Sequence, residues 1–224
     1  MMLSNLIKHI KLVLYLVVFI GNINANAGSF EDFFIAIKQD NPDTIATLIN
    51  RGFDANTRNP AGEPALYLAI REPSLKVVAT LMSWPKTDVE ARNLQDESPL
   101  MMACIKGYVE LSKQLIARGA DVNKPGWAPL HYAATKGHIE LINLLLDNHA
   151  YIDASSPNGS TPLMMAAMYG TASAVKLLLE SGADPLIKNS IGMTAIDFAQ
   201  RGNRTDSAEV IAAFVRAKQP KGKW

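Results

Sequence analysis

The block Pro129-Leu130-His131-Tyr132-Ala133-Ala134 returns thirty-three residues later as Pro162-Leu163-Met164-Met165-Ala166-Ala167, and a glycine follows each copy, Gly137 and Gly170. A chain that repeats itself at this interval folds as units stacked on their neighbours rather than as one globule closed on a single core. The repetition extends well beyond the two best copies. An apolar anchor recurs at Phe33, Leu66, Leu100, Leu130, Leu163 and Ile196, with separations of 33, 34, 30, 33 and 33 residues. Three positions after each anchor stands an alanine: Ala36, Ala69, Ala103, Ala133, Ala166 and Ala199. Nineteen residues after four of the anchors the unit closes on a turn: Gly52-Phe53-Asp54, Gly119-Ala120-Asp121, His149-Ala150-Tyr151 and Gly182-Ala183-Asp184. One extra residue around Trp84 to Thr87 accounts for the 34, and three missing between Val122 and Trp127 account for the 30, so length changes fall in turns.

Each unit carries two short helical patterns. The first presents alanines where a neighbour must approach closely. The second presents apolar residues at helical spacing, as Ile139, Ile142, Leu145 and Leu146 do. Neither helix buries its apolar face within its own unit, so stability comes from the stacked interfaces. Glycines that end a second helix tolerate positive φ. His149 departs from that rule, which predicts a locally strained or reshaped turn.

The period near thirty-three, the turn, the Pro-Leu opening and the paired helices resemble the ankyrin repeat. That resemblance implies an all-α ankyrin-repeat solenoid of about six helix-turn-helix repeats with short β-turn or hairpin connections. The repeats span approximately 28–57, 58–92, 93–122, 123–154, 155–187 and 188–217, followed by a basic tail over 218–224. The terminal units are the least regular, as expected where one face meets water. The last is read as ending in a helix from Ser207 to Ala217. The second, with Glu72-Pro73 and Trp84-Pro85 at its turns, is the most degenerate internal unit.

Residues 1–27 follow other rules. Lys8, His9 and Lys11 precede the apolar run Leu12 to Ile20, and Ala25-Asn26-Ala27 offers a small-x-small cleavage site, together the pattern of a secretory signal peptide cut after Ala27. Nine apolar residues fall short of the roughly twenty that span a bilayer, so no stable membrane anchor is expected after cleavage. A repeat array behind an export leader resembles the periplasmic ankyrin-repeat proteins of Gram-negative bacteria, which implies a periplasmic or secreted location. In a eukaryotic secretory setting Asn158 and Asn203 would instead be glycosylation acceptors.

Charge is nearly balanced, at 22 basic and 21 acidic residues. Removing Lys8 and Lys11 leaves 20 against 21, a net charge of −1 that suggests neither nucleic acid nor an anionic membrane as partner. The single cysteine, Cys104, cannot form an internal disulfide and occupies a small-residue core position, so it is read as a buried structural thiol. Of the histidines, His131 lacks the threonine partner usual in the family, because Ala128 stands there, and is therefore expected to be freer than usual. No nucleophile, base and orienting group assemble, no phosphate loop is present and no ligand spacing surrounds His131 and His138. A non-enzymatic protein without cofactor or metal is the reading.

In the ankyrin pattern the positions left free by the fold precede the Thr-Pro step, follow the Leu by two, or precede the Gly-His. Here they include Glu63, Glu97, Trp127, Ser160, Met193, Leu68, Ile105 and Thr135, with aromatics and methionines concentrated centrally. Met102, Trp127, Tyr132, Met165, Met168, Tyr169 and Phe198 are read as one partner-binding patch on the concave groove and turn tips. Methionine adapts to irregular surfaces, and Trp and Tyr are common hot spots. The expected function is an exported, monomeric protein-protein interaction module; a secreted bacterial effector binding a host protein is the alternative.

Overall fold

The computed structural model describes residues 28–218. The signal-peptide reading, and the tail beyond Lys218, fall outside them. The chain divides into two compact units at Thr87 and Asp88.

The first unit holds helix α1 (28–38), α2 (Pro42–Asn50), α3 (Ala65–Arg71) and α4 (Leu75–Ser83). Its core gathers Phe33, Ile37, Ile45, Leu66 and Leu81, all fully buried, and Phe33 meets Phe53 with ring centroids 4.7 Å apart. Asn41 begins α2 with its side-chain oxygen accepting the Thr44 N–H. The start of α4 is held from a distance instead, by the Asp40 carboxylate accepting the Val77 N–H at 2.9 Å. A free helix N-terminus leaves donors without partners, and both contacts supply an acceptor.

The second unit repeats one pair of helices. Its inner layer is α5 (Pro99–Lys106), α7 (Pro129–Lys136), α9 (Pro162–Tyr169) and α11 (Ala195–Arg201), each packed on the next. Its outer layer is α6 (Val109–Ala117), α8 (Ile139–Asp147), α10 (Ala172–Glu180) and α12 (Thr205–Lys218), stacked in the same order. Ala103, Cys104, Ala133, Ala134, Ala166 and Ala167 are wholly buried between inner helices, and Leu141, Ile142 and Leu145 lie at the centre of the outer layer. Burying each such large aliphatic side chain contributes about 1.5–3 kcal/mol. Small residues set how closely the inner helices approach. At Gly170 a Cβ would overlap the carbonyl oxygens of Ala134 and Ala166.

The inner helices begin alike. Pro occupies the first turn of α5, α7 and α9, where its missing N–H costs nothing. The N–H of the preceding residue is taken by the side chain three positions on: Met101 Sδ for Ser98, His131 Nδ1 for Ala128, Met164 Sδ for Thr161 and Asp197 Oδ2 for Thr194. Thus Met101 and Met164 are core and cap together, while Met102 and Met165 beside them remain half-exposed.

The anticipated hairpins reduce to turns. Among the described residues no strand forms, and one isolated antiparallel bridge joins Arg58 and Pro64. Side-chain oxygens at the turn entrances accept the N–H groups that a strand partner would otherwise take. His149 has φ 65° where Gly119 and Gly182 have φ 91° and 106°, so the reshaped turn expected there is a left-handed residue carrying a side chain. Helix α12 begins at Thr205, two residues earlier than the apolar pattern indicated, and continues to Lys218, whose ammonium lies 4.4 Å from the Phe214 ring centroid.

Candidate functional site

The site is organised by the shortened turn between α6 and α7. In full-length turns an Asn or Ser side-chain oxygen gathers backbone donors. Asn93 accepts from Gln95 and Glu97, Ser156 from Ser160, and Asn189 from Ile191 and Met193. Lys124 stands at the entrance of the shortened turn and reverses the polarity. Its Nζ donates to the carbonyls of Pro125 and Trp127 at 3.0 and 3.3 Å and pairs with Asp96 at 2.5 Å, while only 4% of the side chain is exposed. An ammonium withdrawn this far from water needs such a shell of acceptors, because an unpaired one would cost several kcal/mol. The hydrogen bond from Lys124, reinforced by Arg92, holds the Asp96 carboxyl below its ordinary value. Sequence reading registered the missing residues but not Lys124; the available signal was a lysine standing where Asn or Ser opens the neighbouring turns.

The same turn delivers Trp127 onto His131, edge to face, with centroids 5.2 Å apart. His131 is not free, contrary to expectation. Its side chain is buried, Nδ1 accepts the Ala128 N–H at 3.1 Å, and Nε2 lies 3.0 Å from the Ser160 carbonyl, to which it donates. Losing a threonine at 128 removes one partner, but the backbone N–H of that residue replaces it. Burial is the main cause of the His131 pKa lying below 6.5, and the nearby Lys124 charge acts in the same direction.

Beside these residues lies an apolar hollow of about 220 Å³, lined by Ile105, Trp127, His131, Tyr132, Thr135 and Met165. The Tyr132 hydroxyl donates to Glu97 Oε1 at 3.0 Å, and burial together with the Glu97 charge pushes its pKa up. Three of the seven residues selected from the sequence, Trp127, Tyr132 and Met165, therefore converge on one feature. Met102 on α5, Met168 on α9 and Phe198 on α11 are half-buried and do not line it, and Tyr169 is exposed at the end of α9. Several positions read as free are not. Glu63, Leu68 and Ser160 are buried, with Glu63 ion-paired to Arg71. A larger hollow, about 390 Å³, lies at Pro185, Leu186, Phe214 and Val215 and contains none of the selected residues.

Burial pushes the Cys104 thiol up to about 12, so the nucleophilic thiolate is suppressed. Among the described residues no three His, Cys, Asp or Glu side chains converge as metal ligands. What the hollow offers is shape, apolar surface and aromatic edges.

Comparison with known proteins places the fold among familiar ones. The family model described as ankyrin repeats (3 copies) matches residues 80–156 and 148–219. The ankyrin repeat protein YahD of Escherichia coli is 26% identical over 192 residues, covering 81% of this chain and 94% of that protein. The human ASB11 ankyrin repeat domain superposes with TM-score 0.72 at 24% identity, covering 85% and 86% of the two chains. A chain in the complex of a predatory endopeptidase from Bdellovibrio bacteriovorus with an immunity protein superposes with TM-score 0.70 at 26% identity, covering 81% of this chain and 97% of that one. Longer curated relatives match only in part: this chain spans 16%, 5% and 35% of three of them.

Proposed function

The chain belongs to the ankyrin-repeat family, and from that premise we propose that it is an exported, non-enzymatic module that captures an enzyme of the bacterial envelope through its inner-helix face. The convergence of Trp127, Tyr132 and Met165 on one apolar hollow carries this reading. Apolar surface gathered in one place beside aromatic edges suits a covered contact, and Trp and Tyr supply large area at small entropic cost. Export is supported by the leader pattern over residues 1–27. An enzyme as partner is supported by the similarity to a chain from the endopeptidase and immunity-protein complex.

The test uses the full-length gene with a C-terminal tag, expressed in a Gram-negative host. Mass spectrometry of the purified chain is expected to show cleavage after Ala27. Crosslinked capture is expected to recover a periplasmic protein with the parent chain and to lose it with the Trp127→Ala, Tyr132→Ala double variant, helical circular dichroism being unchanged. Loss of a hot-spot aromatic corresponds to about 2 kcal/mol or more, near thirtyfold in affinity. Identical partners in both lanes would move the site off the hollow. Recovery in the medium, bound to a host protein, would favour the secreted effector.

A further inference from the structure

The charges around the hollow specify its partner more narrowly than the interaction-module reading, on which this inference rests. Ile105 and Thr135 line the hollow, and the next residue on each helix is an exposed lysine, Lys106 on α5 and Lys136 on α7. These helices pack against each other and each ends on its lysine, so the two lysines stand next to each other at one end of the pair. The lysines of the second unit that do meet carboxylates are Lys113, Lys124 and Lys176; among the described residues Lys106 and Lys136 meet none. A cation in the last helical turn is favoured by the helix dipole. The helix does not require one, however, since α9 has the same length and ends on Tyr169 with no basic residue in its last turn.

On the turn that holds Tyr132 the carboxylates are already committed. Asp96 is paired with Lys124 and Arg92, and Glu97 accepts from Asn93 and from the Tyr132 hydroxyl. Among the described residues Lys106 and Lys136 are thus the charged groups flanking the lining that meet no carboxylate, while the Glu97 carboxylate is held by Asn93 and the Tyr132 hydroxyl, and the lining itself is mostly apolar and aromatic. At about 220 Å³ the hollow falls below the usual 300–1,000 Å³ of small-molecule sites and suits a single large side chain.

We propose that the hollow receives one apolar side chain from an extended acidic segment of a protein partner, whose carboxylates flank that anchor and pair with Lys106 and Lys136. The anchor supplies the holding energy through desolvated contact with Trp127, Tyr132 and Met165. The rim charges act mainly on encounter rate and on the choice of partner, because exposed pairs are individually weak and screened by salt.

Selection of phage-displayed random linear peptides on the tagged, full-length-expressed protein tests this. Enriched peptides are expected to carry Leu, Phe or Trp flanked by Asp or Glu. The same selection on the Lys106→Glu, Lys136→Glu variant is expected to replace the acidic flanks with basic ones. A synthetic acidic peptide from the first selection should bind the double variant about tenfold more weakly, and its affinity for the parent should fall with added NaCl. A Lys113→Glu variant, altered on the outer helix α6, should bind as the parent does. Enrichment without acidic bias, affinity unmoved by the double charge reversal, or no enrichment on a chain with intact circular dichroism would each overturn the proposal. A partner captured from cells together with an unbiased peptide selection would sink this inference and leave the module reading standing; an acidic selection with no captured envelope protein would support the inference and count against an envelope enzyme as the partner.

Discussion

The turn at Asn93 and the turn at Lys124 occupy equivalent places in successive units and solve the same problem with opposite chemistry. Asn93 opens a full-length turn, and its side-chain oxygen collects the N–H groups of Gln95 and Glu97 while its amide holds the Glu97 carboxylate. At Lys124 the turn is three residues shorter. There the groups that meet a side-chain partner inside the turn are the carbonyls of Pro125 and Trp127. A buried ammonium is that partner and is in turn neutralised by Asp96, which belongs to the Asn93 turn. A deletion in a repeat protein is thus absorbed by exchanging an acceptor for a donor. The exchange also delivers Trp127 to the hollow, a location that no full-length turn of the second unit gives an aromatic residue.

The largest expected effect breaks the shortened turn. Lys124→Met keeps length and apolar stem but leaves two carbonyls without their partner and Asp96 with Arg92 alone, and should lower unfolding stability by about 2–3 kcal/mol in urea denaturation. If it proves neutral, the turn is held by packing alone and the contrast fails. Asn93→Ala attacks the full-length counterpart and should cost about 1–2 kcal/mol by the same measurement, since the bonds it accepts from Gln95 and Glu97 are neutral and such bonds contribute less than charge-assisted ones. A cost above that of Lys124→Met would invert the ranking of the two devices.

The smallest effect sharpens the comparison through pH. His131, which caps α7 beside the shortened turn, has a folded-state pKa below 6.5, mainly because it is buried. Below that value the unfolded chain binds the proton more readily than the folded one, so this contribution is complete above pH 6.5 and is lost as pH falls from there through the folded value. Melting temperature should therefore fall between about pH 7 and pH 5.5. In His131→Gln, expected to cost about 1 kcal/mol at neutral pH, the fall over that window should be shallower. Parallel slopes in the two proteins would show that His131 is not the residue kept neutral.

Most of the architecture was legible in the chain because it rests on periodicity. Leu100, Leu130 and Leu163, and the alanines three positions after them, are buried where their spacing puts them, and that spacing follows from a helix of fixed pitch meeting an identical neighbour. The left-handed turn at His149 was legible for the same reason, since the preceding unit has a glycine at that position. The site was legible only in part. Trp127, Tyr132 and Met165 stood out by residue type, but Met102, Met168 and Phe198 share their pattern without lining the hollow. Leu68 holds the same place in its unit as Tyr132 does in a later one, yet it is buried.

The amino-acid sequence by itself determined the repeat, its length changes, the proline-led starts of the inner helices and the small-residue seams, because each depends on neighbours within about thirty residues or on a copy of itself. Tertiary structure alone decided the rest: that Lys124 turns inward to Asp96, that His131 is sealed against Ser160, and that a hollow opens between α5, α7 and α9. Those outcomes depend on burial and on the position of a charge one unit away, and both are properties of the stacked units that no single repeat encodes.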